Sequence, residues 1–320
     1  MILSVENLSI FLPYRNQIRE VVRSLSFSLG TAEILGVVGE SACGKSLTNL
    51  AVMGLLPNYA QVKADRIVLC GRDLLALNKA DWSRIRGRIA AMIFQNPMSA
   101  LNPTMKIGAQ LREAVNGSDV ALSRNEVNEK IIELIATVGL PRPRNYIDVY
   151  PHELSGGMAQ RVMIAMALAL KPKLLIADEP TTALDVTTQR QIMELLQHLC
   201  LEYSMSMIFV SHDIGLIYKY TDKLQVMYAG EIVESGPTCS IVTQPTHPYT
   251  QGLIESHPGY AIQARKTLLP TINGQVPTID CEISGCRFAS RCPIVREECQ
   301  LNQQLVPNSK QSGVLVRCPY

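Results

Sequence analysis

Gly39-Glu40-Ser41-Ala42-Cys43-Gly44-Lys45-Ser46 matches the pattern G-x-x-x-x-G-K-S. It follows the apolar run Ile34–Val38 and precedes a segment that reads as a helix from Lys45. The motif needs that strand-loop-helix context. Backbone N–H groups of the loop ring a nucleotide's phosphates, Lys45 reaches the β- and γ-phosphates, and the Ser46 hydroxyl ligates Mg²⁺. A glycine-rich turn matched by chance is the alternative, and the flanking elements argue against it.

Outward from the loop, alternating apolar residues over 5–11 and 22–29 predict antiparallel strands. Residues 100–170 show 3.6-residue spacing, as in Val127, Ile131, Ile132, Leu134 and Ile135, and predict a helical insertion. Buried strands are expected at 174–177 and 205–210, with a helix over 189–200 between them. This alternation implies a largely parallel sheet, hence an α/β fold. At the end of the first of these strands, Asp178-Glu179-Pro180 puts two carboxylates side by side. Charge there is costly unless compensated. Mg²⁺ held by Asp178 supplies the compensation, and Glu179 then polarises the water that attacks the γ-phosphate.

Leu154-Ser155-Gly156-Gly157-Met158, lying ahead of that carboxylate pair, narrows the reading. With it the chain resembles the ATP-binding subunits of ABC transporters over roughly residues 1–240. The resemblance implies a P-loop NTPase of the ABC type: a nucleotide-binding domain with an antiparallel β-subdomain, a helical insertion at about 98–170 and a C-terminal extension at 241–320. It also implies that Ser155, Gly156 and Gly157 bind the γ-phosphate held by an opposite subunit, as a helix N-terminus favours. Gln95, in Ile93-Phe94-Gln95-Asn96-Pro97, resembles the Q-loop glutamine that contacts Mg²⁺ and the attacking water. Ala183-Leu184-Asp185 resembles the D-loop, and His212 the switch histidine at the γ-phosphate. By the same resemblance Mg²⁺ is held by Ser46, Gln95 and Asp178. Two positions depart from the family. Leu12 occupies the usual place of the aromatic residue that stacks on adenine, although Phe11 and Tyr14 are near. Ala42 stands where relatives carry glycine, and costs about 1 kcal/mol if the loop needs positive φ.

Further stretches are similar to the peptide and nickel importer branch. They are Asn96-Pro97-Met98-Ser99-Ala100-Leu101-Asn102-Pro103, Tyr150-Pro151-His152-Glu153 and Thr246-His247-Pro248-Tyr249-Thr250. Such systems pair two paralogous ATPases with two transmembrane permease subunits and an extracytoplasmic binding protein. A peptide importer is therefore expected, with a nickel or metal-chelate importer as the alternative and a soluble ABC ATPase switch as a distant one. The branch also carries a C-terminal cysteine motif, followed here by Cys286, Cys292, Cys299 and Cys318. Their separations are wider than the short knuckles of structural zinc, and four thiolates suit a [4Fe–4S] cluster. Reduced thiols or zinc are the competing readings, Cys281 is a spare, and ATP chemistry is expected to be independent of this tail.

Composition sets outer bounds. The chain has 320 residues, 47% of them hydrophobic, and a formal net charge of +2 with its basic residues scattered, which disfavours a nucleic-acid partner. Residues 1–8 do not read as a secretory signal, so the nine cysteines are expected in a reducing compartment. The longest apolar run, 162–170, falls short of the ~20 residues of a spanning helix. The expected location is peripheral, on the cytoplasmic face of the bacterial inner membrane.

Overall fold

The computed structural model describes residues 1–117, 122–182, 184–257, 270–281 and 283–320. Strands β1 (Leu3–Tyr14) and β2 (Gln17–Leu29) form an antiparallel pair that buries Leu3, Val5, Leu8 and Ile10. The chain crosses to a second sheet as β3 (Ile34–Val38), then passes through the phosphate loop into helix α1 (Lys45–Val52). Strands β4 (Gln61–Lys63), β5 (Arg66–Leu69) and β6 (Arg72–Asp73) return to the first sheet, giving the order β2-β1-β5-β6 with β4 on β1. Helix α2 (Lys79–Ile85), started by an Asn78–Asp81 capping box, leads into β7 (Ala90–Ile93).

The expected helical insertion is α3 (Pro97–Ala100), α4 (Ile107–Asn116), α5 (Arg124–Thr137) and α6 (Gly156–Leu168). Helix α5 starts on a Ser123–Glu126 capping box and buries Val127, Ile131 and Ile135, the face that the sequence spacing marked. Strand-helix alternation resumes with β8 (Leu174–Asp178), α7 (Val186–Glu202), β9 (Ser206–Ser211), α8 (Ile214–Tyr220) and β10 (Lys223–Tyr228). After β11 (Glu231–Pro237) come α9 (Thr238–Thr243), α10 (Pro248–Glu255) and a tail whose regular strands are β12 (Val306–Pro307) and β13 (Leu315–Val316).

The second sheet runs β12-β13-β11-β10-β3-β9-β8-β7, parallel from β10 to β7. Its parallel strands are covered on both faces. Leu175, Ala177 and Phe209 face the core shared with the helices, whereas Leu174, Ile176 and Ile208 face the core shared with the antiparallel sheet. Double coverage is why these strands read as continuous apolar runs. At the other end of this sheet β13 pairs with β11, Val316 opposite Glu234, so the tail is built onto the same sheet despite its proline-broken pattern. No described helix is long and apolar enough to cross a membrane.

Aromatic packing fastens the tail to the core. Phe288, 2% exposed, meets Tyr228 edge-on at 5.1 Å and Tyr249 at 5.4 Å between ring centroids. Truncation to Phe288→Ala should lower stability by about 3–5 kcal/mol, read as a lower urea midpoint in chemical denaturation.

Candidate functional site: a nucleotide pocket at the strand ends

Parallel strands end together, so β3, β7, β8 and β9 deliver their following residues to one edge of the sheet. The phosphate loop leaves β3. Gly39 lies so close to β10 that an added Cβ would stand 2.2 Å from the Met227 carbonyl oxygen, so only glycine fits there. Gly44 caps α1 at φ +101°. Lys45 is buried, its Nζ donating to the carbonyls of Gly39 at 2.8 Å and Glu40 at 3.0 Å. Ala42 has φ +63°, the conformation in which a side chain is strained.

Beyond the loop lies Asp178, the last residue of β8 and 6% exposed. Burial pushes its carboxyl pKa up, while the Ser46 hydroxyl and Lys45 pull it down. Its Oδ1 has no hydrogen-bond partner. An orphaned, buried carboxylate oxygen beside a serine hydroxyl and a lysine is a donor set that fits a hard divalent cation next to phosphates. Glu179 follows at φ +47°, its N–H bonded to the Val210 carbonyl at 3.1 Å. This left-handed backbone is a strained state of the kind that collects at functional sites, at about 1–3 kcal/mol.

Three elements converge on one oxygen of Glu179. Oε2 accepts from Gln95 Nε2 at 3.0 Å and from Thr182 Oγ1 at 2.9 Å, and His212 Nδ1 stands 3.6 Å away. Gln95 comes from the end of β7 and His212 from the end of β9. The structure therefore gathers Lys45, Ser46, Gln95, Asp178, Glu179 and His212 at one sheet edge, as the sequence motifs anticipate. Sequence reading missed Thr182, which has no motif of its own beyond its position after the carboxylates.

Other motif residues sit elsewhere. Ser155 N-caps α6, its Oγ accepting from the Met158 N–H at 3.3 Å, and both Ser155 and Gly156 are exposed. None of Ser155, Gly156 and Gly157 lines the cavity of this chain's own phosphate loop. Asp185 N-caps α7 through the Thr188 N–H and hydroxyl, which hold its carboxyl pKa below the usual range. Ala183 lies outside the described residues.

The cavity above the phosphate loop measures about 1200 Å³. Leu12 and Tyr14 line it and Phe11 does not, which leaves Tyr14 as the aromatic side chain from β1 in the cavity. Part of its wall comes from the tail, including Pro277, Ile279, Cys281, Ile283 and Arg287. The expectation that ATP chemistry is independent of the tail rests on where the phosphate-contacting motifs stop along the chain; the tail nonetheless supplies part of the cavity wall, beside residues of the β1–β2 pair.

In the tail, Cys286, Cys292, Cys299 and Cys318 line one small cavity together with His247 and Phe288. Burial first, then the facing cysteines, pushes the Cys286 thiol up to about 11. Among the described residues no three His, Cys, Asp or Glu side chains are grouped closely enough to hold a single metal ion.

A strand-loop-helix phosphate site, a buried carboxylate for a divalent cation and a second carboxylate poised for water define a nucleoside-triphosphate hydrolase. Residues 22–182 match the ABC transporter family, and residues 233–299 match the oligopeptide/dipeptide transporter C-terminal region. Dipeptide transport ATP-binding protein DppD of Haemophilus influenzae is 44% identical, across 95% of this chain and 92% of that one. Oligopeptide transport ATP-binding protein AppD of Bacillus subtilis is 41% identical across 99% and 96%. DppD of Escherichia coli is 40% identical across 100% and 96%. An ATP-binding cassette solved as a dimer in a post-hydrolysis state with ADP and Pi superposes with TM-score 0.66 at 23% identity, over 74% of this chain and 99% of that one, a likeness of fold. The chain belongs to the ABC transporter ATPase family.

The strain at Ala42 can be tested directly. Ala42→Gly relieves about 1–2 kcal/mol of left-handed strain and returns about 0.5–1 kcal/mol of chain entropy to the unfolded state. The nucleotide-free variant should therefore gain about 0.5–1 kcal/mol, seen as a higher urea midpoint at unchanged m-value.

Proposed function

We propose that this ATPase powers a peptide importer, bound to the cytoplasmic face of the bacterial inner membrane by two transmembrane permease subunits and paired with a paralogous ATPase. A separate binding protein delivers the peptide. The observation that carries this reading is the match of residues 233–299 to the peptide-transporter C-terminal region, in a chain whose similarity to peptide-transport ATPases runs almost end to end.

Hydrolysis follows from the convergence on Glu179. Its Oε2 accepts a proton from the attacking water as the new P–O bond forms and the bond to ADP breaks. Gln95 and His212, already turned to the same oxygen, orient that water and the γ-phosphate. Lys45 leaves the loop carbonyls for the β- and γ-phosphates, and Ser46, Gln95 and Asp178 are the residues that would hold Mg²⁺. When bound, Mg²⁺ neutralises charge developing on the phosphate oxygens. Ser155, Gly156 and Gly157 act on the nucleotide of the opposing ATPase. Their exposure at the N-terminus of α6, away from this chain's own cavity, supports that reading, and Asp185 crosses the same interface.

In the reconstituted transporter, Glu179→Gln should retain MgATP binding and reduce turnover at least about a hundredfold, with wild-type hydrolysis stimulated by peptide-loaded binding protein. Near-wild-type turnover in the variant would remove Glu179 as the base. Stimulation by nickel chelates and not by peptides would instead favour the metal-importer reading.

The tail residues Cys286, Cys292, Cys299 and Cys318 would hold a [4Fe–4S] cluster. Their arrangement around one cavity supports this. The cluster's chemistry when bound is to replace mutual thiolate repulsion with iron–sulfur bonds that fold the tail. Anaerobically purified protein should be brown with about four irons per chain, and Cys292→Ser should lose the colour. Colourless protein with stoichiometric zinc, or with no metal at all, would overturn the cluster.

A further inference from the structure

Glu40 is the second residue of the phosphate loop, yet it does not line the nucleotide cavity. Its carboxylate is gripped from the tail. Arg291 Nη1 donates to Oε2 at 2.6 Å and Nη2 to Oε1 at 3.1 Å, the parallel two-bond fork that is strongest for a guanidinium and a carboxylate. Arg291 is 4% exposed at its side chain, and the pairing lifts its pKa further above the ordinary arginine value.

The rest of the Arg291 fork is fixed to the tail and the core. Nε donates to the Asn273 carbonyl at 2.9 Å, Nη2 to Ile272 at 3.3 Å and Nη1 to the Tyr228 hydroxyl at 3.4 Å. The guanidinium also stands 5.7 Å from the Tyr228 ring centroid and 5.9 Å from that of Phe288. The next residue is Cys292, on the wall of the four-cysteine cavity. Glu40 is held a second time, because its backbone N–H donates to the Tyr249 hydroxyl at 2.9 Å and Tyr249 packs on Phe288. The Glu40 carbonyl in turn receives Lys45 Nζ.

We propose that Arg291 is a positioning residue for the phosphate loop, its two-bond grip on Glu40 making ATP affinity depend on the folded, cysteine-lined tail. A free carboxylate beside an incoming triphosphate would repel it, and a loop whose second residue can swing does not keep its N–H groups aimed at phosphate. Arg291 removes both costs, by neutralising the charge and by fixing the loop from outside the cavity. A simple anchor for the tail has no need of the phosphate loop. The grip on Glu40 also ties the Lys45 contact to the state of the tail.

The test is a double-mutant cycle on the full chain, purified anaerobically, with MgATP affinity measured by calorimetric titration and folding checked by urea denaturation. Glu40→Ala leaves every tail contact of Arg291 except the grip. It and Arg291→Met should each weaken MgATP binding about tenfold, and the double variant should be no worse than either single, because both remove one interaction. Arg291→Lys should fall between wild type and Arg291→Met, since a point charge replaces a fork. Should Arg291→Met fail to fold, the cycle is run with Arg291→Lys, whose stem keeps the packing. Additive losses would reveal separate structural roles and overturn the inference. Wild-type affinity in Glu40→Ala would overturn it too, without touching the assignment of Glu179 or the cargo.

Discussion

Five parallel strands buried on both faces leave almost nowhere along their length for a polar side chain, and that constraint fixes where chemistry takes place. Ser206 satisfies its hydroxyl at the start of β9 by donating to the Gly30 carbonyl. Apart from Lys223 and the buried Gln225 of β10, the remaining polar groups lie at the opposite ends of the strands. Because β3, β7, β8 and β9 run the same way, those ends coincide, and the phosphate loop, Gln95, the carboxylate pair and His212 arrive together. Burial of apolar surface thus brings these residues to one edge of the sheet, where Gln95 and His212 then meet Glu179.

Some of the chain's left-handed, non-glycine backbone lies at that edge. Ala42 and Glu179 both adopt positive φ without being glycine, and Gly39 tolerates no Cβ against β10. Strain of this kind persists only where surrounding structure over-determines the backbone. Here the over-determination comes from the sheet behind the loop and from the Val210 carbonyl that holds the Glu179 N–H. Asp178 stores a different cost, a buried carboxylate oxygen with no partner, which a bound cation would relieve.

The tail does more than extend the chain. β13 adds to the edge of the main sheet, Phe288 and Tyr249 close an aromatic cluster on Tyr228, and Arg287 binds the Ala229 carbonyl beside the nucleotide cavity. Segments poor in regular structure are usually expected to be loosely attached. This one has buried aromatic and guanidinium anchors instead, and they lie against the phosphate loop rather than on the far side of the molecule.

Much of the nucleotide site was legible from residues 34–46, 154–158 and 174–180, because phosphate binding uses backbone N–H groups of consecutive residues and must therefore be written as a contiguous motif. The helical face of Val127, Ile131 and Ile135 was legible for a similar reason, since helix periodicity is local. Spacing along the chain could not reveal the wall that the tail adds to the cavity, nor which oxygen of Glu179 Gln95 and His212 would share. Least visible of all was the Arg291–Glu40 pair, whose partners stand 251 residues apart. A side-chain fork at that separation depends on where a whole tail closes against a whole sheet, and only tertiary packing decides that.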